Sequence, residues 1–461
     1  MKKTHSPLEA ERVTVMGLGL HGGGLASALF FARRGARVTV TDLQSEADLQ
    51  PSIEKLAGYE VRFVLGHHDT ADFTDTDLVI KNPGVGPESP FLRAARQNNV
   101  PVRSDIGIFL SFVSNPIVAV TGSKGKSTTT AAVHAGLLAL HPGAKLGGNI
   151  TVSPLTFLEN LPPDAPVALE LSSWQLADLK DCPDFTPRVS LITNILPDHL
   201  NRYRGMDDYV ADKKIIYSRQ DQTCVSVFNL DDPYTAQFRA ESRARRLFFS
   251  RSPLPRDVEG GWLDGDHVVL SLDGRETVLF DRPPLLTGGH NRLNLLAAAL
   301  CLCGLGMEPA RFAARLAAFP GLEHRFETVA EKAGVRYIND SAATIPHAVC
   351  ESLRAVRGPV VLITGGADKN LDFTPFEHVL RLPKAVILLE GTATEKIVRL
   401  LTAADIPFRG PFPALEPAVR EAAAAATPGD TVLFSPGCAS FGMFLNEFDR
   451  GRRFKRLVNE L

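Results

Sequence analysis

At 461 residues the chain exceeds what one hydrophobic core usually serves, so two or three domains are expected. It is 44% hydrophobic and 22% charged, with a formal net charge of −2. That balance offers no basic excess to draw in nucleic acid or an anionic membrane, and points to a globular protein acting on small molecules. Met1 to Pro7 is followed by charged residues, and no apolar run approaches a bilayer span, so a cytoplasmic protein is expected. The six cysteines show no paired-ligand spacing, and Cys301-x-Cys303 lies in an apolar helical run, so neither disulfides nor structural zinc is expected.

Arg12 to Met16 reads as an apolar strand running into Gly17-Leu18-Gly19-Leu20-His21-Gly22 and then a helix. A second strand, Ala36 to Thr41, ends at Asp42, which completes a βαβ nucleotide-fold signature. In isolation Gly17, Gly19, Gly22 and Asp42 suggest an NAD-dependent dehydrogenase, but a UDP-sugar pyrophosphate is electrostatically alike. A second unit opens with the strand Pro116 to Val120, a glycine-rich turn over 121–127 and a helix expected over Thr129 to Leu140. Strands follow at Val167 to Leu169 and Val189 to Ile195. A third unit carries Val360 to Thr364, Ala385 to Leu389 and Asp430 to Phe434, each ending near Gly or Pro. Pro101 and Phe319-Pro320-Gly321 mark the breaks, giving domains 1–103, 104–321 and 322–461. The fold class expected is α/β in three domains: Rossmann-like, a central P-loop ATPase type, and Rossmann-like again.

The strongest chemical signal is Thr121-Gly122-Ser123-Lys124-Gly125-Lys126-Ser127-Thr128. Strand, glycine loop and helix N-terminus converge backbone N–H groups on phosphate oxygens. Lys126 is placed to neutralise the β and γ phosphates of ATP and Ser127 to ligate magnesium. The loop is two residues tighter than the general pattern, because Val120 stands where the first glycine would be. Glu170 closes a strand at the edge where open α/β sheets present ligand-facing groups, and a carboxylate there suits magnesium; alone it reads as a surface acid. His199, just past its strand, is a candidate for a second magnesium or its water. Asn291 and Asn294 share one helix face and can reach adenine or ribose, or else cap a helix; Arg325 is a candidate for ATP phosphate.

The compact loop resembles that of the Mur ligases and their relatives the folylpolyglutamate synthases. Gly147-Gly148-Asn149-Ile150, Glu170-Leu171-Ser172-Ser173-Trp174-Gln175, Asn194 with Asp198-His199, His290-Asn291 with Asn294, Gly321 with His324-Arg325-Phe326, Asn339-Asp340-Ser341, and Ser435-Pro436 with Cys438-Ala439-Ser440 resemble the glutamate-adding branch in order and spacing. The resemblance spans essentially the whole chain. It implies an ATP-dependent amide ligase that adds glutamate to UDP-N-acetylmuramoyl-L-alanine through an acyl phosphate, with about two magnesium ions, acting as a monomer. Leu18, Asp42, Leu43, Asn82, Pro83 and Gly84, with Gly17 and Gly19, are implied at the UDP end, and Asn149, Ser172, Ser173 and Gln175 along the rest of that substrate. Asp340 is implied beside ATP ribose or magnesium.

By the same resemblance Lys213 is the lysine that the family carbamylates, which turns a cation into a carboxylate-like anion near magnesium. Lys214 is adjacent, and from the sequence alone the pair reads as two solvated lysines on a helix. Thr344, Lys369, Ser440 and Phe448 are implied at the glutamate. Two positions depart from the family pattern: Ala342 replaces its usual lysine, and Glu447 stands where an aromatic is usual, with Phe448 one place later. Lys124 stands where asparagine is usual, a substitute source of positive charge. These departures keep the reaction class and leave D- and L-glutamate both open. A dehydrogenase and a nucleotide-regulated binding protein are the other readings.

Overall fold

The computed structural model describes residues 10–19, 22–150, 152–197, 203–265, 267–280, 284–286, 288–368 and 371–461. The chain divides after Phe319 into two compact units.

The first unit holds two sheets. One comprises β1 (Arg12–Met16), β2 (Arg37–Asp42), β3 (Val61–Leu65), β4 (Leu78–Lys81) and β5 (Val102–Arg103), all parallel in the order β3-β2-β1-β4-β5. The strand order reverses beside β1, so a crevice opens at the carboxyl ends of β1 and β4, where such sheets bind ligands. One glycine that permits this packing is Gly24. A methyl group at Gly24 would lie 2.0 Å from the Gly17 carbonyl oxygen, and Gly22, with φ +98°, precedes the helix Gly23–Arg33 as its N-cap.

The other sheet comprises β6 (Ile117–Thr121), β7 (Lys145–Gly148), β8 (Val167–Glu170), β9 (Val189–Ile192), β10 (Val225–Asn229), β11 (Arg245–Ser250), β12 (Gly260–Asp264), β13 (His267–Leu272) and β14 (Arg275–Val278). Its order is β14-β13-β12-β11-β10-β9-β6-β8-β7. Every residue of β6 is buried, as expected of a parallel strand covered by helices on both faces. The antiparallel extension β12 to β14 was not anticipated from the sequence. Several expected boundaries also move, three of them for a visible local reason. The helix after the phosphate loop runs Lys126–Leu137 and not from Thr129, because Gly125 in the left-handed region ends the loop there. The strand from Val189 stops at Ile192, because Thr193 and Asn194 turn onto the loop. The last strand starts at Thr431, because the Asp430 carboxylate is drawn back to Thr427 and Lys384.

The second unit packs one sheet, β15 (Glu327–Lys332), β16 (Val335–Asn339), β17 (Val360–Thr364), β18 (Ala385–Leu389), β19 (Phe408–Phe412) and β20 (Thr431–Phe434), in the order β15-β16-β20-β17-β18-β19. Only β15 is antiparallel. Its two faces carry separate cores, one around Leu362, Leu388 and Phe376, the other around Ile363, Phe434 and Phe454. The architecture is thus three α/β sheets, as the element pattern predicts. No described helix is long and apolar enough to cross a membrane.

Candidate active site

The phosphate loop leaves β6 at Thr121 and re-enters helix at Lys126. Gly122 has φ +142°, and a methyl group on it would lie 1.9 Å from Thr193 Oγ1, so only glycine fits. The first-turn N–H groups of Lys126–Leu137 lack intrahelical partners and present a cradle for anionic oxygens. The Lys126 ammonium arches over the loop, donating to the Gly122 and Ser123 carbonyls at 2.9 and 3.0 Å. Ser127 sits in that first turn. Asn294 lies against the loop from the helix Gly289–Gly304, since a methyl group at Gly125 would be 2.6 Å from its Oδ1. Asn291, one turn earlier, is buried.

Glu170 ends β8 in register with Val120 on β6, which carries its carboxylate to the same edge. It is 1% exposed. Oε1 accepts a 2.8 Å bond from Asn149 Nδ2, while Oε2 is buried with no hydrogen-bond partner among the described residues. A buried carboxylate oxygen left unpaired is costly unless a cation completes it, so this oxygen fits a magnesium ligand. Lys213 departs from the picture of two solvated lysines. It is 1% exposed, with Nζ 2.8 Å from the Gly122 carbonyl oxygen and 3.4 Å from Thr121 Oγ1. Lys214 instead lies nearer the surface, paired with Glu241 at 2.6 Å. Asp198 and His199 lie outside the described residues.

In the first sheet, Asp42 gathers the glycine loop by accepting from the Leu18 and Gly19 N–H groups at 2.8 and 3.3 Å. Leu18 therefore offers only backbone to a ligand, for its side chain is fully buried; Leu43 is 68% exposed. Asn82 packs against Gly17 and accepts from Gly84 N–H at 3.1 Å, shaping the turn that holds Pro83. Ser172 and Gln175 form a reciprocal capping box on the helix Ser173–Asp178, and Ser173 and Gln175 are buried, so these side chains have an evident structural task.

In the second unit, Ser440 lines a cavity of about 660 Å³ with Gly365, Gly366 and Arg450, at the carboxyl ends of the parallel strands. Thr344 and Phe448 are not among its described lining residues. Arg325 is exposed, and the residues flanking it, His324 and Phe326, both have positive φ, 65° and 50°. Asp340 turns inward: Oδ2 accepts from Ser352 and Ser435 at 2.6 and 2.7 Å, and Oδ1 from the Phe326 N–H at 3.1 Å. Lys369 lies outside the described residues.

Three family models match in chain order: the MurD-like N-terminal domain over residues 11–104, the Mur ligase middle domain over 120–302, and the glutamate ligase domain over 324–438. The chain is 41% identical to the UDP-N-acetylmuramoylalanine–D-glutamate ligase of Roseiflexus sp. (strain RS-1), covering 98% of this chain and 99% of that one. It is 37% identical to the enzyme of the same name from Treponema pallidum (strain Nichols), covering 99% of each. The chain belongs to the Mur ligase family. Two solved Mur ligases share its fold: UDP-N-acetylmuramate-alanine ligase MurC from Thermotoga maritima, with TM-score 0.62, 20% identity and coverage of 97% and 99%; and MurF from the same organism in complex with ADP, with TM-score 0.59, 15% identity and full coverage of both. The N-terminal match takes the first glycine loop away from a dinucleotide-dependent dehydrogenase.

This Mur ligase also places residues that the sequence reading passed over. Asn149 is bonded to Glu170, where only a substrate contact was expected. Arg450 is 1% exposed, and its guanidinium donates to Ser341 Oγ, the Ser341 carbonyl and the Cys438 carbonyl. Burial lowers its pKa to about 10. No motif flags it, since an arginine in Asp449-Arg450-Gly451-Arg452-Arg453 reads as one of several on an exposed helix.

Asp340 gives this chain a pH-dependent contribution to stability. Burial raises its carboxyl to about 6, opposed by the bonds from Ser352, Ser435 and Phe326. An unfolded aspartate titrates at about 4, so between about pH 4 and 6 the folded chain holds the extra proton and this group's contribution to stability falls as pH rises. The limiting slope is about 1.4 kcal/mol per pH unit. Asp340→Asn is expected to flatten the thermal midpoint across this window. An unchanged slope in the variant would assign the dependence to other groups.

Proposed function

We propose that this Mur ligase adds D-glutamate to UDP-N-acetylmuramoyl-L-alanine with ATP and magnesium, in peptidoglycan precursor synthesis. The observation that carries the proposal is full-length similarity to enzymes named for that reaction, at 41% and 37% identity. The chemistry of the loop supports it.

The loop of Gly122, Ser123, Lys124 and Gly125 shapes the cradle, and the N–H groups of Gly125 and of the first turn through Thr128, with the Lys126 ammonium, hold the β and γ phosphates; Asn291 and Asn294 take the adenosine end. Arg325 and Asp340 are assigned to ATP in the same reading. Magnesium, when bound, neutralises phosphate charge; Glu170 Oε2 and Ser127 Oγ would hold one ion, and His199 a second. Lys213 is the residue proposed to carry the carbamate, because it is buried beside the loop while Lys214 is paired with Glu241. The alanyl carboxylate attacks the γ-phosphorus as the bond to ADP breaks, giving an acyl phosphate. The glutamate amine then attacks the acyl carbon, loses a proton and expels phosphate. Gly17, Gly19, Asp42, Leu43 and the turn Asn82-Pro83-Gly84 hold the UDP end, and Thr344, Lys369, Ser440 and Phe448 the glutamate. A monomer in the cytoplasm, where ATP and a nucleotide-activated sugar are at hand, fits this chemistry.

The test uses UDP-N-acetylmuramoyl-L-alanine with heavy oxygen in its carboxylate. The expected result is one heavy oxygen in each phosphate released. Phosphate free of label would overturn the acyl phosphate.

A further inference from the structure

We infer that Asn194, assisted by Thr193, is a positioning residue that aims the phosphate loop at its nucleotide. Its amide grips both sides of one residue of the loop: Oδ1 accepts from the Lys124 N–H at 2.9 Å, and Nδ2 donates to the Lys124 carbonyl at 3.1 Å. Thr193 Oγ1 donates to the same carbonyl at 2.6 Å, and the Ser123 N–H donates to the Asn194 carbonyl at 2.8 Å. Thr193 is itself fixed, since its N–H bonds to Thr121 across the sheet and its carbonyl accepts from Asn229 Nδ2 at 3.0 Å.

The consequence follows from peptide planarity. In a trans peptide the carbonyl and the next N–H point in opposite directions, so turning the Lys124 carbonyl onto Thr193 and Asn194 turns the Gly125 N–H away from them. By the same rule, tying down the Lys124 N–H turns the Ser123 carbonyl the other way, where it accepts from the Lys126 ammonium at 3.0 Å. One side-chain amide therefore orients two successive peptide planes and, through one of them, the catalytic lysine. The Lys124 N–H is consumed by Asn194 and takes no part in the phosphate cradle.

This inference rests on the proposed reaction only in naming the nucleotide, and its test reads nucleotide binding directly. Binding of ADP with magnesium, and separately of UDP-N-acetylmuramoyl-L-alanine, is measured by calorimetry on the full chain. Asn194→Ala is expected to weaken ADP roughly tenfold, from two lost hydrogen bonds, and to leave UDP-substrate affinity within about twofold. Thr193→Val is expected to weaken ADP by roughly fivefold, and Thr193→Ser, which keeps the hydroxyl donor, to restore it. In turnover the KM for ATP rises while that for the UDP-substrate holds. Equal loss of both ligands in Asn194→Ala, or unchanged ADP affinity in a folded variant, would overturn the inference. A wild-type chain that binds ADP and not the UDP-substrate would count against the proposed function, and the ADP series would still decide the role of Asn194.

Discussion

Lys126→Ala is expected to lower ATP-dependent phosphate release by about three orders of magnitude, on the scale of removing one fixed charge-stabilising donor from a transition state. The effect is confined to chemistry by the way the side chain is held. Its ammonium donates to the Gly122 and Ser123 carbonyls, the residue is only partly buried, and the Gly122 carbonyl keeps a second donor in Lys213, so truncation is expected to disturb the fold little. The loop itself is held from the other side by Asn194 and by Ser123, whose hydroxyl bonds to Leu196 and Tyr209 at 2.9 Å. The thermal midpoint should move by a few degrees at most. Near-normal phosphate release from a folded variant would remove Lys126 from the mechanism.

The second large effect separates two neighbours. Lys213→Ala is expected to lose on the order of a hundredfold in turnover and to regain part of it when a short carboxylic acid is added, since an anion is what the carbamate would supply. Lys214→Ala breaks only the pair with Glu241, in which the side chains are 24% and 37% exposed, and pairs of this kind contribute about 0–1 kcal/mol. It should need no rescue. Recovery by added acid also answers a structural objection, because a variant merely misfolded by the loss of a buried side chain would not respond. The reverse pattern would move the modified position by one residue.

These two lysines also show what the sequence reveals and what it withholds. The phosphate loop was legible because its chemistry is local: glycines, a lysine and a hydroxyl in one short run between a buried strand and a helix. The three sheets were legible for a related reason, since runs such as Ile117–Thr121 and Val360–Thr364 are apolar throughout, as covered parallel strands must be. The choice between Lys213 and Lys214 was not, because burial is set by how the helix Met206–Lys214 lies on the loop, and adjacent helix positions look alike in sequence. The role of Asn194 was not legible either, since its partner is a backbone group 70 residues away. The hairpin of β13 and β14 does carry a local signal: Asp273-Gly274, both with positive φ, is a hairpin turn dipeptide. Gly24 was not legible, because what requires a glycine there is its close approach to the Gly17 carbonyl.

The central claim is the identity of the reaction, and the most direct measurement supplies the full chain with ATP, magnesium, UDP-N-acetylmuramoyl-L-alanine and either D- or L-glutamate. Phosphate release and the mass of the nucleotide product are followed together. The expected result is one phosphate for each product heavier by a glutamyl residue, with D-glutamate, and neither signal when ATP or the UDP-substrate is omitted. Product formed with L-glutamate alone would keep the ligase and overturn its amino acid; no product with either would contradict the account.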